Sequence, residues 1–434
     1  MERPLGALEH SFWLYDQIHP IHFALTARLE GQFDLDRLRQ SLQQAQQQHP
    51  LLRVRIETDR TGQPKFVEQT AEIPLRIVDR LDDRQWEQEL EVELSRSFHW
   101  MTAPLVRVVV LHSQRISELI VTCHHAIADG LSMAYLIRDI VRGLEMPSQK
   151  QRHLSESLAI EHLIPDTYKL DTAVYNTEQM APTETQCDYN FEVSTRSRPH
   201  IRTVLLSVEL TQWLHRRCRE EATSVHSAIS AAFLLALSSR KQSPSSLKCL
   251  SPVSVREHLS QSVGESVGLY VAFAVTNHDL NLDACLWETA RSLKSQLSEA
   301  ATPQRLFAEA RYRQAAIAKL PKAEMVVQGM RQQRRYDLLV TNLGRLHLEQ
   351  QFGTLRIAEF YGPTVMSEVE QERVVGVATL GDRLSLTVAF PSATTSDAEA
   401  TEFLAEALQI LRQDKGLPPI DRSIPRALAN VAIA

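Results

Sequence analysis

The residues best suited to chemistry in this chain stand together: His124, His125, Asp129 and Gly130. They follow an apolar run, Ile120–Val121–Thr122–Cys123, and precede a segment of helical apolar period from Leu131 to about Arg142. Histidine has the side chain whose ordinary pKa lies nearest physiological pH, which suits a general base. An aspartate four residues after His125 can shape that histidine's surroundings in a turn. Gly130 removes a side chain where something has to come close to the backbone. The bland alternative for two strand-end histidines is a core position or a metal ligand. No Cys/His/Asp cluster stands nearby at ligand spacing, so no metal site is expected. Cys123 reads as a buried strand residue rather than a reactive thiol.

The elements that must position these residues follow from apolar period and turn chemistry. Glu118–Cys123 is almost continuously apolar after its first residue, which predicts a central strand buried on both faces. Leu105–Leu111 is its neighbour. Leu8–Tyr15 predicts an N-terminal helix or arm packed on the body. Phe23–Leu29 predicts a strand. Leu35, Leu38, Leu42 and Ala45 predict a helix capped by Asp34 and stopped by Pro50. Leu51–Ile56 and Ile73–Val78 predict strands, and Asp82–Phe98 a charged amphipathic helix. From about Gly143 to His200 the pattern dissolves into prolines and Ser/Thr clusters, as in a linker. Beyond it, strands are expected at Thr203–Val208, Leu247–Val255 and Val267–Thr276, with helices at Thr211–Glu221, Ser224–Arg240 and Asp283–Leu297. Ala308–Gln333 predicts one basic helical stretch, with arginines at 311, 313, 331, 334 and 335 on a solvated face or a docking surface for an acidic partner. Tyr336–Asn342 predicts a strand that breaks at Asn342–Leu343–Gly344. Strands at Leu355–Tyr361, Val374–Leu380 and Leu384–Phe390 and a helix at Asp397–Leu411 complete the chain. The expected division is a first lobe over residues 1–150, a linker over 151–200 and a second lobe over 201–434, each lobe of mixed α/β type.

Bulk properties narrow the class. The 434 residues carry a net charge of -6, which gives no global pull toward nucleic acid or anionic lipid. The five cysteines form no CxxC pair, which argues against a zinc site or a disulfide framework and fits a reducing cytosol. No apolar run is long enough for a transmembrane segment, and the first residues lead into no apolar signal region. A cytoplasmic protein is expected.

The spacing His124–His125–x–x–x–Asp129–Gly130 resembles the signature of the CoA- and carrier-protein-dependent acyltransferase superfamily, which includes condensation domains and chloramphenicol acetyltransferase. His49–Pro50–Leu51–Leu52–Arg53, Thr223–Ser224–Val225 and Pro252–Val253–Ser254–Val255–Arg256 are similar to further segments of that family, in order and spacing. Thr341–Asn342–Leu343–Gly344 is similar to a strand end of the stand-alone polyketide-associated and alcohol O-acyltransferase branch. Gln351–Phe352–Gly353–Thr354 does not serve as the Asp-Phe-Gly-Trp-Gly motif of the plant branch.

The resemblance implies an α/β fold, an α+β sandwich of two chloramphenicol-acetyltransferase-like lobes in a V, with a tunnel between them. It implies His125 as general base at the tunnel's midpoint and His124 as a positioning residue. It implies an Asp129–Arg256 ion pair across the lobes, and Gly130 as room for a pantetheine arm. Thr341 or Asn342 is implied as an oxyanion donor, a strand-end turn being the alternative. The expected reaction moves an acyl group from a CoA or acyl-carrier-protein thioester to an alcohol, forming an ester. Amide formation on an amine, or a non-catalytic scaffold that keeps the fold, are the alternatives. No permanently bound cofactor is expected; acyl-CoA or a phosphopantetheinyl carrier protein is the donor substrate. A stand-alone, monomeric enzyme is expected, since one two-lobed unit fills the length.

Overall fold

The computed structural model describes residues 2–146, 154, 157–168, 198–240, 245–280, 284–333, 336–366 and 372–413. The first half runs β1 (Glu2–Pro4), α1 (Ala7–Asp16), β2 (His22–Glu30), α2 (Leu35–Gln48), β3 (Val54–Thr58), β4 (Pro64–Glu68), β5 (Leu75–Asp79), α3 (Gln85–Leu94), β6 (Val106–His112), β7 (Ile116–His124) and α4 (Gly130–Glu145). A short α5 (Ile160–Leu163) and β8 (Pro199–Leu205) lead into the second half. There follow α6 (Val208–Glu220), α7 (Val225–Ser238), β9 (Ser245–Ser254), β10 (Val271–Leu280), α8 (Leu286–Ala300), α9 (Pro303–Ile317) and α10 (Ala323–Gln333). The chain continues through β11 (Leu338–Leu346), β12 (Gln351–Phe352), β13 (Leu355–Val365), β14 (Val374–Leu380), β15 (Arg383–Pro391) and α11 (Asp397–Arg412).

Two six-stranded mixed sheets carry the two lobes, in the orders β12-β13-β2-β7-β6-β5 and β10-β9-β11-β14-β15-β8. A small sheet, β1-β4-β3, flanks the first. Several helices begin where a side chain takes an orphan backbone N–H. Asp34 accepts from Asp36 N at 2.8 Å, and Ser224 accepts from Ser227 N at 3.0 Å. Strand β7 is central and buried on both faces, so it reads as a run of apolar residues rather than as an alternation.

The expected division into lobes at residues 150 and 200 does not describe the sheets. Strands β12 and β13 cross back and join the first sheet, β13 pairing antiparallel with β2. The physical reason lies in β2, whose His22–Ala27 stretch is buried on both faces and would make a costly open edge. The sheets meet where β13 packs on β14 and β15. An apolar cluster fills the junction, with Ala24 and Ile120 from the first sheet against Leu250, Leu339, Val374 and Ala389 from the second.

Four local expectations are corrected. Residues Pro50–Arg53 form a 3-10 turn, and the strand starts only at Val54, because Pro50 opens the turn. The expected helix over 308–333 is two helices, α9 and α10, separated at Leu320–Pro321, where Leu320 has φ +48°. The expected break at Asn342–Gly344 is a bulge inside β11, which resumes pairing with β14 at Arg345. Gly344 adopts φ +68° there and so turns the strand without ending it. Strand β8 ends at Leu205, and Val208 already opens α6. Most of the expected linker, including residues 169–197, lies outside the described residues, as do Arg334 and Arg335.

Candidate active site

An elongated cavity of about 710 Å³ lies between the two sheets. Strand β9 contributes every second residue from Ser246 to Ser254, one face of the strand. Eight steps at about 3.3 Å make the passage roughly 26 Å long. Gly130 and Leu343 also line it, as do Asp337 and Glu372. Leu250 and Leu339 belong both to the cavity wall and to the apolar junction of the lobes.

His125 lines this cavity, just beyond the end of β7. Its ring packs against Phe12 of α1 and Phe23 of β2, tilted by 35° and 37°, with centroids 4.6 and 4.4 Å away. Nδ1 lies 3.1 Å from the Ala128 carbonyl oxygen. A carbonyl only accepts, so Nδ1 carries the proton and Nε2 carries the lone pair. Nε2 takes no partner among the described residues. Burial between apolar rings pushes the imidazole pKa down to about 4, and its hydrogen bond to Ala128 and the Asp129 charge offset this only in part. The ring is therefore neutral at physiological pH.

His124 is fully buried and points away from the cavity wall. Its Nδ1 accepts the Ala126 N–H at 3.1 Å, and its Nε2 lies 3.4 Å from Asp16 Oδ2. Cys123 is buried in the strand, and burial pushes its thiol well up, so it has no thiolate character.

Asp129 caps α4, accepting from Ser132 N at 2.8 Å. Arg256 Nη2 reaches both of its oxygens, at 3.2 and 3.3 Å, and Tyr270 N donates to Oδ2 at 3.0 Å. Asp129 N in turn donates to the Gly268 carbonyl at 3.0 Å. The Arg256 guanidinium also stacks over the Tyr270 ring at 4.7 Å and donates to Gly264 and Ser132. The two lobes are thus tied at the start of α4, and the Asp129 carboxylate is fully engaged by that tie. A second inter-lobe tie lies further along α4, where Arg138 pairs with both Asp139 and Glu265.

Gly130 opens α4 and lines the cavity. A Cβ added there would lie 2.7 Å from Leu343 Cδ2 and 2.9 Å from Pro363 Cγ. The missing side chain therefore leaves room for the bulge of β11 and for β13. A Gly130→Ala enzyme is expected to lose roughly 1–3 kcal/mol, because the Pro363 ring cannot swing aside. Thermal melting checks this; a rise in melting temperature, as helix propensity alone would give, is the contrary result.

Thr341 and Asn342 both line the cavity. Asn342 Oδ1 accepts from Gly344 N at 2.7 Å, so its side chain also shapes the bulge and leaves only its NH₂ group to face a ligand. Sequence reasoning missed Phe12, Asp16 and Phe23, which surround the histidines from α1 and β2, and Tyr270. The aromatic content of Leu8–Tyr15 was the available signal, but nothing in it points to residue 125.

Comparison with known proteins gives the family and the fold. Residues 14–337 match the profile of the Condensation domain family. A linear gramicidin synthase polypeptide of Brevibacillus parabrevis is 31% identical over 151 residues, 32% of this chain but only 3% of that protein. Polyketide synthase associated protein 5 from Mycobacterium tuberculosis superposes with a TM-score of 0.62 and 15% identity, over 96% of this chain and 98% of that one. The trichothecene 15-O-acetyltransferase TRI3 from Fusarium sporotrichioides superposes with a TM-score of 0.68 and 11% identity, over 94% and 95%. These two likenesses are of fold. Two chloramphenicol-acetyltransferase-like lobes, a cavity between them and a profile match over most of the sequence lead to one conclusion: the chain belongs to the condensation-domain family of acyltransferases.

Proposed function

We propose that the protein transfers an acyl group from a thioester, on CoA or on a carrier protein, to an alcohol, with His125 Nε2 as the general base. The observation that carries this reading is a neutral imidazole held at the wall of the cavity between the sheets with Nδ1–H tied to Ala128. As the alcohol oxygen attacks the thioester carbonyl, its proton passes to Nε2. The tetrahedral intermediate then collapses: the C–S bond breaks, and the imidazolium returns the proton to the leaving sulfur. An imidazolium with a pKa near 4 gives its proton readily to a thiolate whose conjugate acid has a pKa of about 8.5. Thr341 or the Asn342 amide is positioned to donate to the oxyanion.

An alcohol arrives neutral and releases its proton only in the transition state. An amine arrives as an ammonium ion, and the Asp129 carboxylate beside His125 is already consumed by Arg256, Tyr270 and Ser132. This favours ester over amide formation. The test offers purified protein an acyl-CoA with a panel of alcohols and amines, following free thiol and identifying products by mass. Ester products support the proposal. Amide products alone would reverse the choice of acceptor, and no thiol release from CoA or from carrier-bound thioesters would end the catalytic reading.

The proposal fixes a pH dependence. A base must be neutral to act, so kcat/KM should stay flat from neutral pH down to pH 5 and fall as pH drops through about 4. Stability runs differently. His10, His22, His125 and His226 are each pushed down to about 4 by burial, so the unfolded chain takes up protons first. Stability contributed by these groups is full above about pH 6.5 and is lost as pH falls toward 4. Rates corrected for the folded fraction separate the two; an acid limb near 6.5 in corrected rates would contradict the clamped base.

A further inference from the structure

We propose that Asp16 is a positioning residue for His125, its single carboxylate setting both aromatic rings that clamp the imidazole. The inference rests on the reading of His125 as the base. Asp16 closes α1, and its side chain is only 2% exposed. Oδ1 accepts the Ile21 N–H at 2.9 Å. Oδ2 lies 3.4 Å from His124 Nε2. His124 Nδ1 is already an acceptor, so the ring proton sits on Nε2 and faces Asp16. The Ile21 carbonyl in turn accepts the His125 N–H at 3.1 Å. One carboxylate therefore bonds the turn from α1 into β2 and lies against the strand end that bears both histidines.

The consequence reaches both rings. Phe12 stands one helical turn before Asp16, on the same face of α1. Phe23 follows Ile21 by two residues, and both line the cavity. The approach of each ring to His125 depends on how α1 and β2 meet, and Asp16 holds that meeting point. The carboxylate is ionised: burial acts against the charge, but His124 and the Ile21 N–H together bring its pKa below the ordinary value. Neither Asp16 nor His124 lines the cavity, so their effect on chemistry is indirect.

Loosening the clamp admits water beside the imidazole and reduces the penalty on its charged form. The other titratable groups around His125 are His124 and Asp129 on its own segment, Tyr15 from α1 and Tyr270 beside β10. An Asp16 substitution leaves all of them chemically unchanged. The full-length protein is compared as wild type, Asp16→Ala, Asp16→Asn and Phe403→Leu, the last a core change in the second lobe that lowers stability far from His125. The titration of His125 is read by NMR on histidine-labelled protein, its signal assigned by loss in His125→Ala, alongside kcat and KM for thiol release.

In Asp16→Ala the His125 pKa is expected to rise by about one unit or more, with kcat reduced about tenfold or more and KM little changed. Asp16→Asn, which keeps an acceptor for Ile21 but loses the charge facing His124, should lie between. Phe403→Leu should lower the melting temperature and move neither readout. An unmoved His125 titration in Asp16→Ala overturns the proposal. If Asp16→Ala does not fold, an unmoved titration in Asp16→Asn overturns it. Full activity of His125→Ala, with the titration of Asp16→Ala still shifted, would instead remove the base assignment and leave the clamp standing.

Discussion

Replacing His125 by alanine is expected to lower kcat/KM for thioester-dependent acyl transfer by about 10²–10⁴-fold, or about 3–5 kcal/mol of transition-state stabilisation. The remaining rate would come from holding donor and acceptor together in one cavity, which the substitution leaves in place. The loss should fall on kcat rather than on KM, since Nε2 exchanges a proton only in the transition state. The gap left between Phe12 and Phe23 has the shape of an imidazole ring. Added imidazole should therefore restore part of the rate in His125→Ala, and do nothing for the wild type. Thiol release measured against imidazole concentration checks both statements. An undiminished rate in His125→Ala would remove the base from the mechanism.

Replacing Asp129 by alanine is expected to cost about 3–5 kcal/mol of stability, the largest loss of any polar substitution near the site. Three causes act together. The Arg256 guanidinium loses its only carboxylate among the described ion pairs and stays partly buried over Tyr270. The Tyr270 N–H, which donates to Oδ2, is left without its acceptor. Helix α4 loses its cap, worth typically about 1 kcal/mol. Urea unfolding of Asp129→Ala, Arg256→Met and the double variant measures the coupling. The double variant should recover part of the loss, because it no longer buries an unpaired charge. Strict additivity of the two single losses would mean that the pair at 3.2 Å contributes no coupling. Activity should fall as well, since Asp129 adjoins the Ala128 carbonyl that fixes the His125 tautomer.

Much of this site can be read in the sequence where one short segment does several jobs. His124 to Gly130 encodes a strand end, a tight turn and a helix cap within seven residues, and such local demands leave a recognisable spacing. Arg256 was reachable only through the resemblance of Pro252–Arg256 to a family segment, and the structure brings it to Asp129. The aromatic clamp was not legible. Phe12 and Phe23 look like any core aromatics, and only the tertiary approach of α1 to β7 gives them a task. Asp16 was hidden for the same reason, being one polar residue at the end of an apolar helix. Helix α4 and strands β7, β14 and β15 were legible because their burial is uniform or strictly periodic. Strand β13 was legible as a strand, but not its sheet, since the alternation of apolar residues carries no address. The split between α9 and α10 was blurred by the helix-favouring residues on both sides of Pro321.

The return of β13 to the first sheet bears on the order in which the protein can assemble. Strand β2 pairs with β7 about a hundred residues later, but with β13 only after more than three hundred. While the chain is being synthesised, the outer edge of β2 has no mate until residues near Leu355 leave the ribosome. The N-terminal lobe is thus a template with an open flank for most of translation, the condition in which strands recruit neighbours from other chains. High contact order makes the closing step slow. Arg28 and Glu30, charges within that strand, are of the kind that disfavours such mispairing. The histidine proposed as the base is emitted early, yet its cavity is completed only when the last third of the chain has been threaded back.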